Sequence, residues 1–178
     1  IDGSGTTTHC HLLYRRLKAS YPKVFLTKEP VNKKIVSLIK ENPDPLVDLF
    51  LFLADRLEHY KLIKQLLAQK YLVISDRSFP STYAYQFYYS NLRKLLPEKL
   101  IFHLDKLSRL NIEPDIVIIL DVPPELAIQR LVQKKKRSSI DKFEKIEILK
   151  KVRKGYLFYA RKFNWQIITA KDDIKAVQ

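Results

Sequence analysis

The 178-residue sequence has no methionine, a single cysteine, and no apolar run approaching the roughly 18 residues needed to span a membrane. One cysteine, Cys10, excludes an internal disulfide and agrees with a reducing, cytoplasmic setting. No secretory leader is visible. The chain opens at Ile1 partway through a motif, so a strand is expected to precede it. There is no internal repeat, no glycine-arginine tract, no recognisable nucleic-acid motif and no linker rich enough to divide domains. One domain over 1–178 is expected, and a nucleic-acid module is the least supported class.

Acidic residues are also in short supply, with 19 Asp+Glu against 33 Lys+Arg and a net charge of +14. That excess attracts anions, nucleotides or nucleic acid, without choosing between them. Lysines spread over helices equally describe a solvated face. The 46% apolar share is enough for a substantial core at this length.

Short apolar runs alternate with longer periodic segments, the pattern of an α/β domain built on a mainly parallel sheet. Strands are expected over Val24–Thr27, Tyr71–Asp76, Ile116–Asp121 and Trp165–Thr169. The third, with Ile-Val-Ile-Ile-Leu, reads as buried on both faces. Helices are expected after Gly5 and over Pro45–Gln69, Ser81–Leu92, Pro97–Leu110, Pro124–Lys134 and Lys142–Phe163. Asp44-Pro45 supplies a cap and a first-turn proline for the longest of them. On that helix Leu46, Leu49, Phe50, Leu53, Leu57 and Tyr60 form the inward stripe.

The opening segment Ile1-Asp2-Gly3-Ser4-Gly5-Thr6-Thr7-Thr8 has the form of a phosphate loop. Gly3 and Gly5 allow a tight turn whose N–H groups face phosphate oxygens, and the following helix adds its positive end. Thr7 stands at the hydroxyl position that ligates Mg²⁺. Thr6 stands where a lysine is expected, and a threonine cannot neutralise β- and γ-phosphate charge. By itself the segment reads equally as a turn and a helix start.

Three further segments carry candidate chemistry. Phe52 and Arg56, four apart, share a helix face, where they would stack a base and grip a phosphate; a flanking aromatic and a surface arginine fit the spacing as well. Asp76 ends a strand, where α/β sheets present ligand groups, and Arg77 follows it. The pair can hold a metal and an acceptor phosphate, or simply cap the next helix. Asp121-Val122-Pro123-Pro124-Glu125 leads through a helix to Lys134-Lys135-Lys136-Arg137, a cationic lid over about 134–141 or a solvated basic loop.

Taken in order, the segments resemble the thymidylate kinase family, of an archaeal or bacterial type. They are the Asp-Gly-Ser-Gly loop, Thr27-Lys28-Glu29-Pro30, Phe52 to Arg56, Asp76-Arg77 leading to Ala84-Tyr85-Gln86, Leu120 to Glu125, Lys142-Phe143-Glu144, and Val152 to Leu157. The resemblance implies a P-loop NTPase-type three-layer sandwich, with a central parallel sheet between helices. It implies phosphoryl transfer from ATP to thymidine monophosphate, with Mg²⁺, on the route to dTTP. Asp2 would contact the sugar hydroxyl, Phe52 would stack on thymine, and Arg56 and Arg77 would hold the monophosphate. Asp76 and Thr7 would serve the metal. Ser81, Thr82 and Gln86 would read the base, and Tyr85 would pack under the deoxyribose. Gly3, Ser4, Gly5, Thr6, Thr7 and Thr8 would bind the donor phosphates. Ser4 occupies the loop position at which some relatives carry arginine, so the resemblance gives the catalytic arginine to the lid, as Arg137. A homodimer through helices flanking the sheet is implied too.

Two departures stand out. Thr6 predicts weakened turnover, or nucleotide binding without turnover, unless lid cations compensate. Lys28 stands where relatives often carry arginine, turning a bidentate contact into a point charge. An arginine arriving with a lid is worth about 10³-fold or more in related phosphoryl transfers. Arg137→Ala is therefore expected to cut kcat by about that factor while thymidine monophosphate affinity changes little; equal losses in both, measured by steady-state kinetics and calorimetry, would remove the lid role.

Overall fold

A computed structural model describes residues 1–42, 44–135, 145–171 and 174–177. Helix α1 (Thr6–Ser20) leads to β1 (Val24–Lys28), α2 (Lys33–Glu41), α3 (Pro45–Ala68) and β2 (Leu72–Asp76). A short α4 (Phe79–Thr82) runs directly into a π-helical segment, Tyr83–Tyr89, and a 3₁₀ turn, Leu92–Lys94. Then follow α5 (Glu98–Ser108), β3 (Ile118–Asp121), α6 (Pro124–Lys135), α7 (Ile146–Lys162), β4 (Gln166–Thr169) and α8 (Ile174–Val177). Strand β1 pairs parallel to β2 from Val24↔Leu72 to Lys28↔Asp76, and β3 pairs parallel to β4 from Ile118↔Gln166 to Asp121↔Thr169. Parallel strands with helical crossovers are the α/β arrangement that the alternating pattern predicts.

Several elements differ from the sequence expectation. Helix α2 was not anticipated; the Asn32 side chain caps it, accepting from the N–H groups of Lys34 at 2.9 Å and Ile35 at 3.4 Å. The expected helix from Ser81 starts earlier and changes winding at Tyr83. Strand β3 is shorter than its apolar run and is not buried on both faces. Ile116 and Ile118 are 70% and 47% exposed, and only Ile119 of the strand enters the core. Among the described residues β3 pairs with β4 alone, which leaves its other edge without a described neighbour.

The Asp44-Pro45 start of α3 holds as expected, with Asp44 Oδ1 accepting from Leu46 N–H at 2.8 Å. The inward stripe is only partly right. Leu49, Leu53 and Tyr60 are buried, whereas Phe50 and Leu57 lie outside and Asp48, Asp55, Arg56 and His59 lie inside. Polar groups take the inner face because it meets other polar groups: Asp55 accepts from Val31 and Asn32 N–H, the latter at 2.7 Å, and fixes the turn into α2.

Two apolar clusters share the π-helical segment and α7. One gathers Ala84, Tyr85, Ile119, Val122, Leu149, Val152 and Tyr156; the other gathers Leu49, Leu53, Phe79, Tyr83, Phe87, Ile101 and Tyr159. Gly155 lets the two elements close up. A Cβ there would stand 3.0 Å from Tyr88 Cβ and 3.1 Å from Ala84 Cα.

Between the second cluster and the strand ends runs a buried row of charges. Arg56 Nε donates to Glu29 Oε2 at 3.0 Å, Nη1 to Asp105 Oδ1 at 3.2 Å and Nη2 to Thr82 Oγ1 at 2.9 Å. Asp105 Oδ2 accepts from Tyr83 OH at 2.8 Å and from Arg109 Nη2 at 2.9 Å. Arg109 in turn lies 4.2 Å over the Phe79 ring. Removing one partner of such a pair leaves a charge buried without compensation, at a cost of about 3–5 kcal/mol. Asp105→Ala removes the carboxylate shared by two buried arginines, leaving Arg56 with Glu29 and Arg109 with Glu113, so a loss at the lower end of that range, about 3 kcal/mol, is expected in urea denaturation; a loss under about 1 kcal/mol would show that the row is not a stabilising unit.

Candidate active site

The Ile1–Gly5 segment forms a turn closed by Ser4 N–H donating to the Ile1 carbonyl at 3.1 Å. Gly3 and Gly5 both take left-handed backbone angles, φ +80° and +91°, which side chains with a Cβ rarely adopt. Gly3 is also hemmed in from α6, since a Cβ there would sit 2.3 Å from the Ala127 carbonyl oxygen. Gly5 is the N-cap of α1 and offers no side chain to it. The N–H groups of the first turn, at Thr6, Thr7 and Thr8, therefore have no intrahelical acceptor and face outward with the helix's positive end. The six residues expected to meet the donor phosphates, Gly3 to Thr8, thus form one continuous turn and helix start.

Thr7 Oγ1 donates to Asp76 Oδ2 at 2.6 Å, joining the cradle to the end of β2. The other oxygen, Asp76 Oδ1, is buried with no hydrogen-bond partner among the described residues, and the same holds for Ser4 Oγ. A carboxylate oxygen left in that state is costly unless something binds it. A hydroxyl plus a carboxylate is an oxygen donor set suited to Mg²⁺, which keeps few protein ligands and completes its shell with water and phosphate. The residues fit the ion on that ground. Among the described residues no group of three or more His, Cys, Asp or Glu forms an all-protein metal cage.

The residue after Asp76 turns to the opposite wall. Arg77 adopts φ +72°, a left-handed conformation that costs a non-glycine residue about 1–2 kcal/mol. Its side chain is held by Asp2, to which Nη2 donates, and its carbonyl accepts from Ser75 Oγ at 2.7 Å. Tyr85 OH donates to the second Asp2 oxygen at 2.7 Å, and the Arg77 guanidinium stands 5.7 Å from the Tyr85 ring. Asp2 is thus brought to Arg77 and Tyr85 across 75 and 83 residues of sequence. About a quarter of the Arg77 side chain is exposed, which leaves it accessible to a ligand.

Arg56 is placed differently from its expected role. It is 1% exposed, with Glu29, Asp105 and Thr82 around it, so the surface-arginine alternative fails and a direct phosphate grip has little open guanidinium to offer. Burial raises the Glu29 carboxyl, but Arg56, helped by His59, outweighs it and holds Glu29 below the usual carboxylate range. His59 bridges Glu29 to Thr27 Oγ1, the latter at 2.8 Å, and is a structural group. Phe52 is half-buried, one turn before Arg56 and outside both apolar clusters. Ser81 accepts from Tyr156 OH at 2.8 Å, Thr82 accepts from Arg56, and Gln86 is buried on the same segment.

Arg137 and most of the lid segment lie outside the described residues, as do Lys142, Phe143 and Glu144. Sequence reasoning missed Asp105, Arg109 and the Asp121–Arg153 fork, whose bonds measure 2.6 and 2.8 Å. Asp121 and Arg153 each lay within a quoted motif, and that was the only signal that they belong together. Cys10 is half-buried and its thiol is pushed up to about 12, first by burial and then by the Asp76 charge, so it stays protonated. No described helix is long and apolar enough to cross a membrane.

Comparison with known proteins converges on one family. The family profile described as thymidylate kinase matches residues 1–178. A protein of Pyrobaculum aerophilum described as "Probable thymidylate kinase" is 38% identical, with 96% of this chain and 84% of the relative covered. The thymidylate kinase of Aster yellows witches'-broom phytoplasma is 37% identical over 99% of this chain and 87% of its own. The crystal structure of thymidylate kinase from Ehrlichia chaffeensis superimposes with a TM-score of 0.75 at 34% identity, covering 98% of this chain and 85% of that one.

Gly3→Ala is expected to displace the turn against Ala127 and weaken nucleoside triphosphate binding by at least about ten-fold, or about 1.4 kcal/mol, in calorimetry. Far-UV circular dichroism should be unchanged. Unaltered affinity would show that the turn is not the phosphate cradle.

Proposed function

The chain belongs to the thymidylate kinase family, and from that premise we propose that it moves the γ-phosphoryl group of ATP onto the 5′-phosphate of thymidine monophosphate, giving ADP and thymidine diphosphate. The observation that carries this reading is the use made of two neighbouring residues. Asp76 is hydrogen-bonded through Thr7 and Arg77 through Asp2, and both partners belong to the phosphate turn. A donor cradle and a partly exposed acceptor guanidinium therefore converge on one rim.

The proposed chemistry is in-line. An oxygen of the acceptor phosphate attacks the γ-phosphorus, the bond to the β–γ bridging oxygen breaks, and ADP leaves with those electrons. That nucleophile is already anionic, so positioning and charge neutralisation matter more than a general base. Arg77 orients the acceptor phosphate, with Asp2 and Tyr85 fixing its guanidinium. Backbone N–H groups of Gly3 to Thr8 hold the donor phosphates. Thr7 and Asp76 would hold Mg²⁺, which would supply positive charge to neutralise the transferring phosphates. Phe52 stacks on the base, Ser81, Thr82 and Gln86 line its edge, and Tyr85 packs under the sugar. Arg56 contributes chiefly by holding the wall that carries Thr82 and Glu29.

Thr6 lowers turnover within this scheme without abolishing it. The lid of about 134–141, with Arg137, completes the site in the closed state, and the whole chain acts as one domain. A homodimer is supported by exposed Val47, Phe50 and Leu57, which follow one another along α3 at helical spacing. A cytoplasmic location agrees with the protonated, unpaired Cys10.

A coupled diphosphate-release assay with ATP and Mg²⁺ should show turnover with thymidine monophosphate well above the other monophosphates, and none after chelation with EDTA. Phe52→Ala should raise KM for thymidine monophosphate by about ten-fold or more, the loss of one stacked ring, with a smaller effect on kcat. Preference for another base, or an unchanged KM, would overturn the assignment of the acceptor.

A further inference from the structure

The phosphate turn bears no cation of its own, because Thr6, Thr7 and Thr8 are all neutral. Four arginines around the site are already engaged: Arg56 with Glu29 and Asp105, Arg77 with Asp2, Arg153 with Asp121, and Arg130 with the Ala170 carbonyl at 2.9 Å. Lys28 is in a different state. It ends β1 directly opposite Asp76 in the parallel register, and it is exposed. Its ammonium makes no ion pair or hydrogen bond among the described residues. The adjacent Glu29 does not neutralise it, since alternation along the chain sends that carboxylate to the buried side, onto Arg56.

Lys28 also shares a space with the metal-binding pair. A cleft of about 330 Å³ opens between α1 and the end of β1, lined by Thr7, Cys10, His11, Lys28, Val31 and Asp76. The unpartnered Asp76 Oδ1 belongs to one of those lining residues. Adjacent strands lie about 4.8 Å apart, within the reach of a lysine side chain, so the ammonium can approach any phosphate oxygen that shares a cation with Thr7 and Asp76.

We infer that Lys28 supplies, from the neighbouring strand, the positive charge toward the donor's β- and γ-phosphates that the turn lacks at Thr6. The inference rests on the proposed reading of the turn as the triphosphate site. Position 28 suits a lysine for this purpose. A compact ammonium on a flexible stem can follow the γ-phosphate during transfer, where a planar guanidinium would be committed to one bidentate geometry.

The test is a double-mutant cycle of Lys28→Met, Thr6→Lys and the two combined, with Lys28→Arg as the conservative variant. Three quantities are read: kcat with ATP, the Kd of a non-hydrolysable ATP analogue with Mg²⁺, and the Kd of thymidine monophosphate. In the natural background Lys28→Met should weaken analogue binding by about ten-fold or more and lower kcat. With Lys at position 6 the same change should cost less than about two-fold, because the turn then carries its own charge. Lys28→Arg should retain most of the analogue affinity, and thymidine monophosphate binding should change less than about three-fold throughout. Equal losses in both backgrounds, or no loss, would overturn the inference, as would a loss confined to thymidine monophosphate affinity. If the protein formed no thymidine diphosphate yet the analogue-binding cycle showed this coupling, the catalytic reading would fall and the role of Lys28 would stand.

Discussion

The fold hangs on Arg56, one guanidinium buried between two carboxylates from different parts of the chain. Glu29 follows β1 and Asp105 sits in α5, so the pairings tie a strand end and one helix to a single point on α3. Thr82 and Tyr83 bring the start of the π-helical segment into the same knot. Burial alone would favour discharging these groups. Each carboxylate instead raises the Arg56 pKa, and Arg56 lowers that of Glu29, so Arg56 and Glu29 stay ionised. Such a row adds less net stability than a well-packed apolar substitute of equal volume would, but it tolerates few alternative arrangements. Its structural effect is positional. Glu29 N–H donates to the Asp76 carbonyl at 3.1 Å, which sets the end of β1 against the end of β2, where the reactive groups stand.

The site uses the same economy of position. Two consecutive residues, Asp76 and Arg77, serve opposite walls because the second takes a left-handed turn. The strain in that turn is offset by fixed partners, Asp2 for the side chain and Ser75 for the carbonyl. A regular extended exit from β2 would aim the guanidinium elsewhere and break the link with the phosphate turn. Backbone strain at a functional position is therefore tied here to a specific pair of hydrogen bonds.

How much of this could be read beforehand depended on how local each signal was. Gly3 and Gly5 announce a turn, Asp44-Pro45 announces a helix start, and apolar runs announce strands, because each is decided within a few residues. The turn at Ile1–Gly5 and the Asp76-Arg77 strand exit were legible for the same reason. Periodicity placed Arg56 beside the core stripe of α3, but only Glu29 and Asp105, distant in sequence, decide that it lies inside. Asp105 and Arg109, spaced by four, have the pattern of an exposed helix pair; nothing local distinguishes the buried version. The change of winding at Tyr83 carries no glycine or proline at its start, and the segment it opens packs against α7 at Gly155, distant in sequence.

That change of winding has a bearing on how this chain can vary. A π-helical segment contains more residues per turn than an α-helix, and it occurs mostly as a single-turn bulge within helical surroundings. Removing a single residue between Tyr83 and Tyr89 would restore regular winding and even improve local hydrogen bonding. It would also re-aim the side chains within the segment, since each residue of an α-helix turns by about 100° and each residue of a π-helix by less. Tyr85 would then turn from Asp2, or Tyr83 from Asp105. A change of length in this stretch should therefore be harder to absorb than elsewhere, because Tyr83 and Tyr85 each place a hydroxyl on a carboxylate distant in sequence.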